Sequence, residues 1–284
     1  MVAELLGGAE LVEITTSGDR VRAAGDKSRF VKEIEEALLA GEIDLAVHSA
    51  KDVPGELPDG LEIAAVPPRA DPRDVLVGAD SPAALPAGAR VGTASVRRRS
   101  QLLALRDDVD VVELRGNVDT RLRKLADGGY DAIVLAAAGL DRLGVPRTGE
   151  GVRPLDVGDM TPAPGQGCLA LEIRADDGQT RAAVERVSDP LAFACLAAER
   201  DCVIALEATC DTPIGVLAEC DDPGRIRIRA YAGAPDGSVW IRDELEAGPD
   251  AGRVLAQRML SAGAAEILAA HHGGADPERR LRST

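Results

Sequence analysis

The stretch "ARVGTASVRRRSQLLALRDDVDVVELRGNVDTRLRKLADGGYDAIVLAAAGLDRLG", Ala89 to Gly144, decides the fold. It alternates short apolar runs with longer amphipathic ones: strand, helix, strand, helix, strand, helix. Strands and helices in this rhythm predict α/β units with parallel sheets. A strand ends at Gly92, and Thr93 or Ser95 can cap the helix that follows. That places Arg97, Arg98 and Arg99 in or beside the first helical turn. Unpaired N–H groups already make that end partly positive, so three cations there are unfavourable unless an anion shares the site. Arg115 and Arg121 flank a second turn, Gly116-Asn117, and Arg142 stands at a third strand–helix junction. Taken singly, each arginine reads as a surface residue paired with a neighbouring acid. Together, guanidinium forks at adjacent loop ends suit a ligand with several carboxylates or phosphates.

Upstream, "FVKEIEEALLAGEIDLAVHSAKDVP" (30–54) predicts an amphipathic helix stopped by Gly41, then a strand over Asp44–Val47. His48, Lys51 and Asp52 follow at the strand's end. Asp52 beside Lys51 can stay ionised and hold a developing cation or pass a proton, or it can simply satisfy the turn before Pro54. His48 reads as a structural histidine. "GLEIAAVPPR" (60–69) and "DVLVG" (74–78) are further strands. Downstream, "MTPAPGQG" (160–167) is a Pro/Gly linker and "CLALEIRA" (168–175) a strand. A helix is predicted over about 189–206, antiparallel strands around the turn "PDGS" (235–238), and a closing helix over about 251–270. The result is two α/β units and a smaller α+β domain.

The 284 residues suffice for two or three domains, and the 45% hydrophobic content is that of a folded protein. A formal net charge of −15 argues against a nucleic-acid binder. Of the 33 basic side chains only Lys27, Lys32, Lys51 and Lys124 are lysines. No apolar run approaches the roughly 20 residues of a membrane span, and the first residues lack a signal peptide's basic start, so a cytoplasmic protein is expected. Five cysteines (Cys168, Cys195, Cys202, Cys210, Cys220) form no CxxC pair. The odd count in a cytoplasmic chain leaves room for one reactive thiol. Cys210, on a loop before Pro213 and Gly215, is better placed for that than Cys195 inside a helix.

These stretches together resemble the porphobilinogen deaminase family. The match runs in order through "TTSGDR", "AVHSAKDVP", "DPRDVLV", "VGTASVRRRSQL", "ELRGNVDTRL", "YDAIVLAAAGLDRLG", "PAPGQG", "AER", "CDTPIG" and "GAPDGS", nearly the whole chain. The resemblance implies condensation of four porphobilinogen molecules head to tail, with release of ammonia, into the linear tetrapyrrole hydroxymethylbilane. It implies a dipyrromethane cofactor attached to Cys210 as a thioether, and Asp52 as the catalytic carboxylate. Lys51, Thr93, Ser95, Arg97, Arg98, Arg115, Gly116 and Arg121 would bind the cofactor and the growing chain. Arg142 and Gln166 would face incoming substrate, with Lys27 and Phe30 on a loop over the cleft, and Arg99 would lie on the surface.

The implied fold is two periplasmic-binding-protein-like α/β domains around a cleft plus a small C-terminal α+β domain. Its parts would be domain 1 (1–68 and 166–187), domain 2 (69–165) and domain 3 (188–284), in a monomer with no metal, nucleic-acid or membrane partner. Two departures stand out. "MVAELLGGA" (1–9) matches the end of the family's first helix, so its first strand and part of that helix are absent; this predicts an upstream start or a poorly folding chain. In "RAAGDKSRF" (22–30), Ala23 and Ser28 replace a lysine and a glycine common in the family. Two other readings remain: a non-catalytic, two-lobed anion-binding module, and an inactive homologue.

Overall fold

A computed structural model describes residues 1–14, 31–146, 148–209 and 211–272. Lys27, Phe30 and Cys210 therefore lie outside the described residues. Among the described residues, three sheets organise the fold.

The first sheet holds β1 (Ala46–Ser49), β2 (Leu61–Ala65) and β8 (Leu169–Arg174) in the order β1-β8-β2. Around it lie α1 (Val2–Leu5), α2 (Lys32–Leu39) and α6 (Gly178–Glu185). Helix α2 ends as predicted: Gly41 takes a φ of +70°, a conformation glycine adopts without steric cost. The strand after it starts at Ala46, two residues later than the sequence suggests.

The second sheet runs β5-β4-β6-β3-β7, from β3 (Asp74–Val77), β4 (Arg90–Gly92), β5 (Asp110–Val112), β6 (Ala132–Ala136) and β7 (Val152–Pro154). Its helices are α3 (Val96–Leu105), α4 (Val118–Ala126) and α5 (Ala137–Arg142). β6 is central, and its Ile133, Val134 and Leu135 are buried, as the unbroken apolar run "AIVLA" requires. Each such side chain contributes about 2 kcal/mol.

The expectation of parallel sheets holds only in part. β4 pairs in parallel with β5 and β6, whereas β3 is antiparallel to both β6 and β7. In the first sheet β8 is antiparallel to β1 and β2. The cause is chain routing. β8 returns from the second lobe and inserts between two strands that run the same way, a long-range pairing that local periodicity does not encode.

The third sheet is an antiparallel meander of β9 (Ile214–Asp222), β10 (Arg225–Gly233) and β11 (Trp240–Ala247). α7 (Pro190–Ala205), α8 (Ala251–Ser261) and α9 (Ala264–His272) accompany it. Asp189 caps α7, its carboxylate accepting from the Leu191 and Ala192 amides. α8 lies against α7 where Gly252 meets the Ala198 carbonyl, closer than any side chain would allow. The single closing helix predicted for 251–270 is instead two, broken at Gly263, whose φ is +98°.

Two crossings join the lobes, one after β2 and one before β8. They bind each other, Ala70 N donating to the Gly167 carbonyl (3.0 Å). Glu199 of α7 secures both: its carboxylate accepts from Arg69 Nη1 (2.6 Å) and Gly165 N (2.6 Å), and also from Ala218 N of β9 (2.8 Å). The hairpin between β10 and β11 docks on α3. Tyr231 Oη and Ser100 Oγ are 2.7 Å apart, and a Cβ on Gly237 would stand 2.5 Å from Ala104 N.

Candidate active site

β1 ends in a single 3₁₀ turn, Ala50–Asp52, which presents Lys51 and Asp52, both half-buried. Gly165 fits beneath this turn. Its φ is +72°, and a Cβ there would lie 2.9 Å from Ala50 C and 3.0 Å from Lys51 N, so the linker needs glycine at this point. His48 is structural, as its sequence context suggests: it is buried, with Nε2 2.8 Å from Glu172 Oε2.

The arginine cluster is more elaborate than the sequence indicates. Ser95 is the N-cap of α3, its hydroxyl accepting from Arg98 N (3.4 Å), while Thr93 Oγ1 accepts from Ser95 N (3.1 Å). Arg97 and Arg98 point inward and are only 4% and 6% exposed. Their counter-charge is Asp74, the first residue of β3 and fully buried. Arg97 Nη1 donates to Asp74 Oδ2 (2.7 Å) and to the Thr161 carbonyl (2.7 Å). Arg98 grips Asp74 Oδ1 through Nε (3.0 Å) and Nη2 (2.8 Å), and its Nη1 donates to Val134 O (2.9 Å). Burial alone would raise the Asp74 pKa, but the two guanidiniums overcome it and hold the carboxyl well below its usual range.

The anion that these arginines require is thus supplied partly by the protein. Asp74 belongs to "DPRDVLV", and its one sequence signal is a charge at the head of an otherwise apolar strand. Gln166 also departs from expectation. It is 1% exposed and turned inward, Nε2 donating to Asp74 Oδ1 (2.9 Å) and Pro72 O (2.6 Å), because Asp74 retains acceptor capacity after binding both arginines.

Two guanidiniums against one carboxylate leave one positive charge in excess. Arg97 Nε and Gln166 Oε1 are buried without a hydrogen-bond partner among the described residues. Burial pulls the Arg121 pKa below its ordinary value, and the nearby Arg98 charge pulls it the same way, so α4 brings its cation toward the cluster. Asn117 caps α4, its Oδ1 accepting from Thr120 N (2.9 Å), and Arg121 Nε donates to the Gly116 carbonyl (2.7 Å). Gly116 has a φ of +121°. Arg115 is exposed beside Glu113 (2.6 Å), Arg142 lies exposed in the last turn of α5, and Arg99 is on the surface as expected.

Successive contacts connect these parts. Gly165 touches the Asp52 turn, and the next residue, Gln166, holds Asp74 and through it Arg97 and Arg98. Thr161, whose carbonyl receives Arg97, also packs against Gly215, five residues beyond Cys210. Val216 N donates to Pro162 O (2.9 Å), fixing β9 to the linker. Thr209 and Thr212, on either side of Cys210 in the sequence, are joined by a hydrogen bond from Thr209 N to Thr212 Oγ1 (2.9 Å). A separate cavity of about 440 Å³ is lined by Asp71, Arg73, Asp156 and Glu219 among others. Its three carboxylates against one guanidinium make it a poor place for a polyacid.

Fold and site define a two-lobed α/β protein with a buried, net-positive arginine cluster linked by contacts to a carboxylate-bearing turn. The profile described as "Porphobilinogen deaminase, dipyromethane cofactor binding domain" matches residues 1–182, and "Porphobilinogen deaminase, C-terminal domain" matches 193–261. The porphobilinogen deaminase of Brevibacillus brevis is 46% identical over 270 residues, covering 92% of this chain and 86% of the relative. That of Thermus thermophilus is 47% identical over 262 residues, covering 90% and 86%. The chain belongs to the porphobilinogen deaminase family.

Proposed function

We infer that the chain is a hydroxymethylbilane synthase, condensing four porphobilinogen molecules into a linear tetrapyrrole with release of ammonia. The observation that carries this reading is the contact chain from the Asp52 turn through Gly165 and Gln166 to a cluster with one surplus positive charge. That chain links a carboxylate able to face a cation to a cluster able to receive an acid. The orphaned Arg97 Nε and the charge excess fit a dipyrromethane cofactor, whose side chains are carboxylates. When bound, that group supplies the primer to which substrate rings are added.

In this reading Cys210 anchors the cofactor, and Lys51, Thr93, Ser95, Arg97, Arg98, Arg115, Gly116 and Arg121 hold its acids and those of the growing chain. Loss of ammonia from substrate leaves an electron-poor methylene carbon. Asp52 stabilises that positive charge and accepts a hydrogen bond from the pyrrole N–H. Arg142 meets the incoming substrate's acids. Lys27 and Phe30 contact substrate from the segment that precedes α2, and Gln166 acts by holding Asp74. Domain 1 comprises 1–68 and 166–187, domain 2 69–165 and domain 3 188–284. A cysteine that must stay reduced for attachment suits the cytoplasm, and one chain supplies every group named, so the enzyme works as a monomer. No helix among the described residues is long and apolar enough to cross a membrane.

The test is the intact mass of purified protein. A covalent dipyrrole on Cys210, lost in Cys210→Ser, is the expected result; a mass equal to the bare sequence overturns the reading.

A further inference from the structure

Cys195 of α7 and Cys220 of β9 stand with their sulfurs 3.2 Å apart, and no part of the reaction uses them. A disulfide requires about 2.05 Å, so little more than 1 Å of approach separates the thiols from a bond. The two elements are already pinned beside the pair, since Glu199 lies one turn beyond Cys195 and accepts from Ala218 N, two residues before Cys220. A cross-link here joins surfaces that do not have to move. β9 is the edge strand of its sheet, and Cys220 near its end is half-buried.

We propose that Cys195 and Cys220 are a peroxide-oxidation site, closing to a disulfide that staples α7 to β9. The acids beside Cys220 select the oxidant. Glu219, Asp221 and Asp222 flank it, so an anionic disulfide such as oxidised glutathione is repelled while a neutral hydroperoxide is not. Cys220, the more accessible thiol, reacts first: its thiolate forms an S–O bond, the O–O bond breaks, and hydroxide leaves to take up a proton as water. The Cys195 sulfur then attacks Cys220. The S–S bond forms, the S–O bond breaks, and a second water leaves with the Cys195 proton. Two thiols and one peroxide give one disulfide and two waters.

Burial pushes the Cys195 thiol above its ordinary range, and the sulfur of Cys220 adds to that, so the first reaction with peroxide falls to Cys220. Cys168 and Cys202 are fully buried, and burial pushes each thiol up to about 12, so neither competes.

The loop between α7 and β9 carries Cys210, so the staple holds both ends of that loop. Reduced holoenzyme is treated with one equivalent of hydrogen peroxide, alkylated under denaturing conditions, and cut after Arg and Glu. Fragment 187–199 then carries Cys195, 201–207 Cys202, 208–219 Cys210 and 220–225 Cys220. The expected result is 187–199 joined to 220–225 with loss of two hydrogens, and a midpoint of unfolding raised by about 5 °C. Cys220→Ser and Cys195→Ser each abolish both effects. Full alkylation of both thiols after peroxide overturns the proposal. So does Cys220 joined to another cysteine, or carried to sulfinic acid with Cys195 still free.

Discussion

Replacing Asp74 by Asn removes one negative charge from a site where two guanidiniums are almost wholly shielded from water. Asn keeps the volume and one carbonyl acceptor. It loses the charge that four side-chain donors now share: Arg97 Nη1, Arg98 Nε, Arg98 Nη2 and Gln166 Nε2. Removing one partner of a buried pair costs about 3–5 kcal/mol, since the remaining charge stays desolvated. Here two cations are stranded, so the upper half of that range applies, and the unfolding midpoint falls by about 10 °C. The pH dependence has a definite sign. The native pKa of Asp74 lies below its unfolded value, so its contribution is fully present above about pH 4. It is lost as pH falls through the native value. Urea unfolding of D74N and wild type should therefore differ most near neutrality and converge in acid. Adding Arg98→Met to D74N should restore part of the loss, because it removes one stranded charge. A neutral-pH difference under about 1 kcal/mol, or one that widens in acid, refutes the assignment of Asp74 as the counter-charge.

Three further outcomes are expected. Glu199→Gln weakens its grip on Arg69 and lowers stability by about 3 kcal/mol in calorimetry, whereas an unchanged melt would mean the crossings are held elsewhere. Asp52→Asn retains the far-ultraviolet spectrum but loses at least about 100-fold in turnover, and near-normal rates remove it from the chemistry. Gly237→Ala must accept a φ of +70° and a Cβ 2.5 Å from Ala104 N, destabilising by about 2 kcal/mol in urea titration; a neutral variant would show that the hairpin is not seated on α3.

Features set by neighbours along the chain are legible in the sequence itself. The Ser95 cap, the Gly41 stop and the β10–β11 hairpin each depend on a few adjacent residues and a fixed backbone demand. The β4–α3–β5–α4–β6 order followed from periodicity alone. What escaped was set by distant partners. β8 inserts between β1 and β2 from more than 100 residues away, which turns that sheet antiparallel. β9 begins within "CDTPIG" and stays hidden because its inward residues are chosen by α7. The arginines advertised their need for an anion, but only the folded chain brings Asp74 beneath them. Gln166 illustrates the same limit, since a glutamine in a Pro/Gly linker reads equally well inward or outward.

The hydrogen bonds that converge on Glu199 bear on how a primer can lengthen between fixed anchors. Arg69 and Gly165 belong to the two strands of chain that carry one lobe into the other, and Ala218 to the sheet beyond. A single carboxylate therefore acts as a pivot pin. A swing of either lobe that kept these bonds would leave the pin still and move the far rims most, so that added rings would find room at the rims and not at the root.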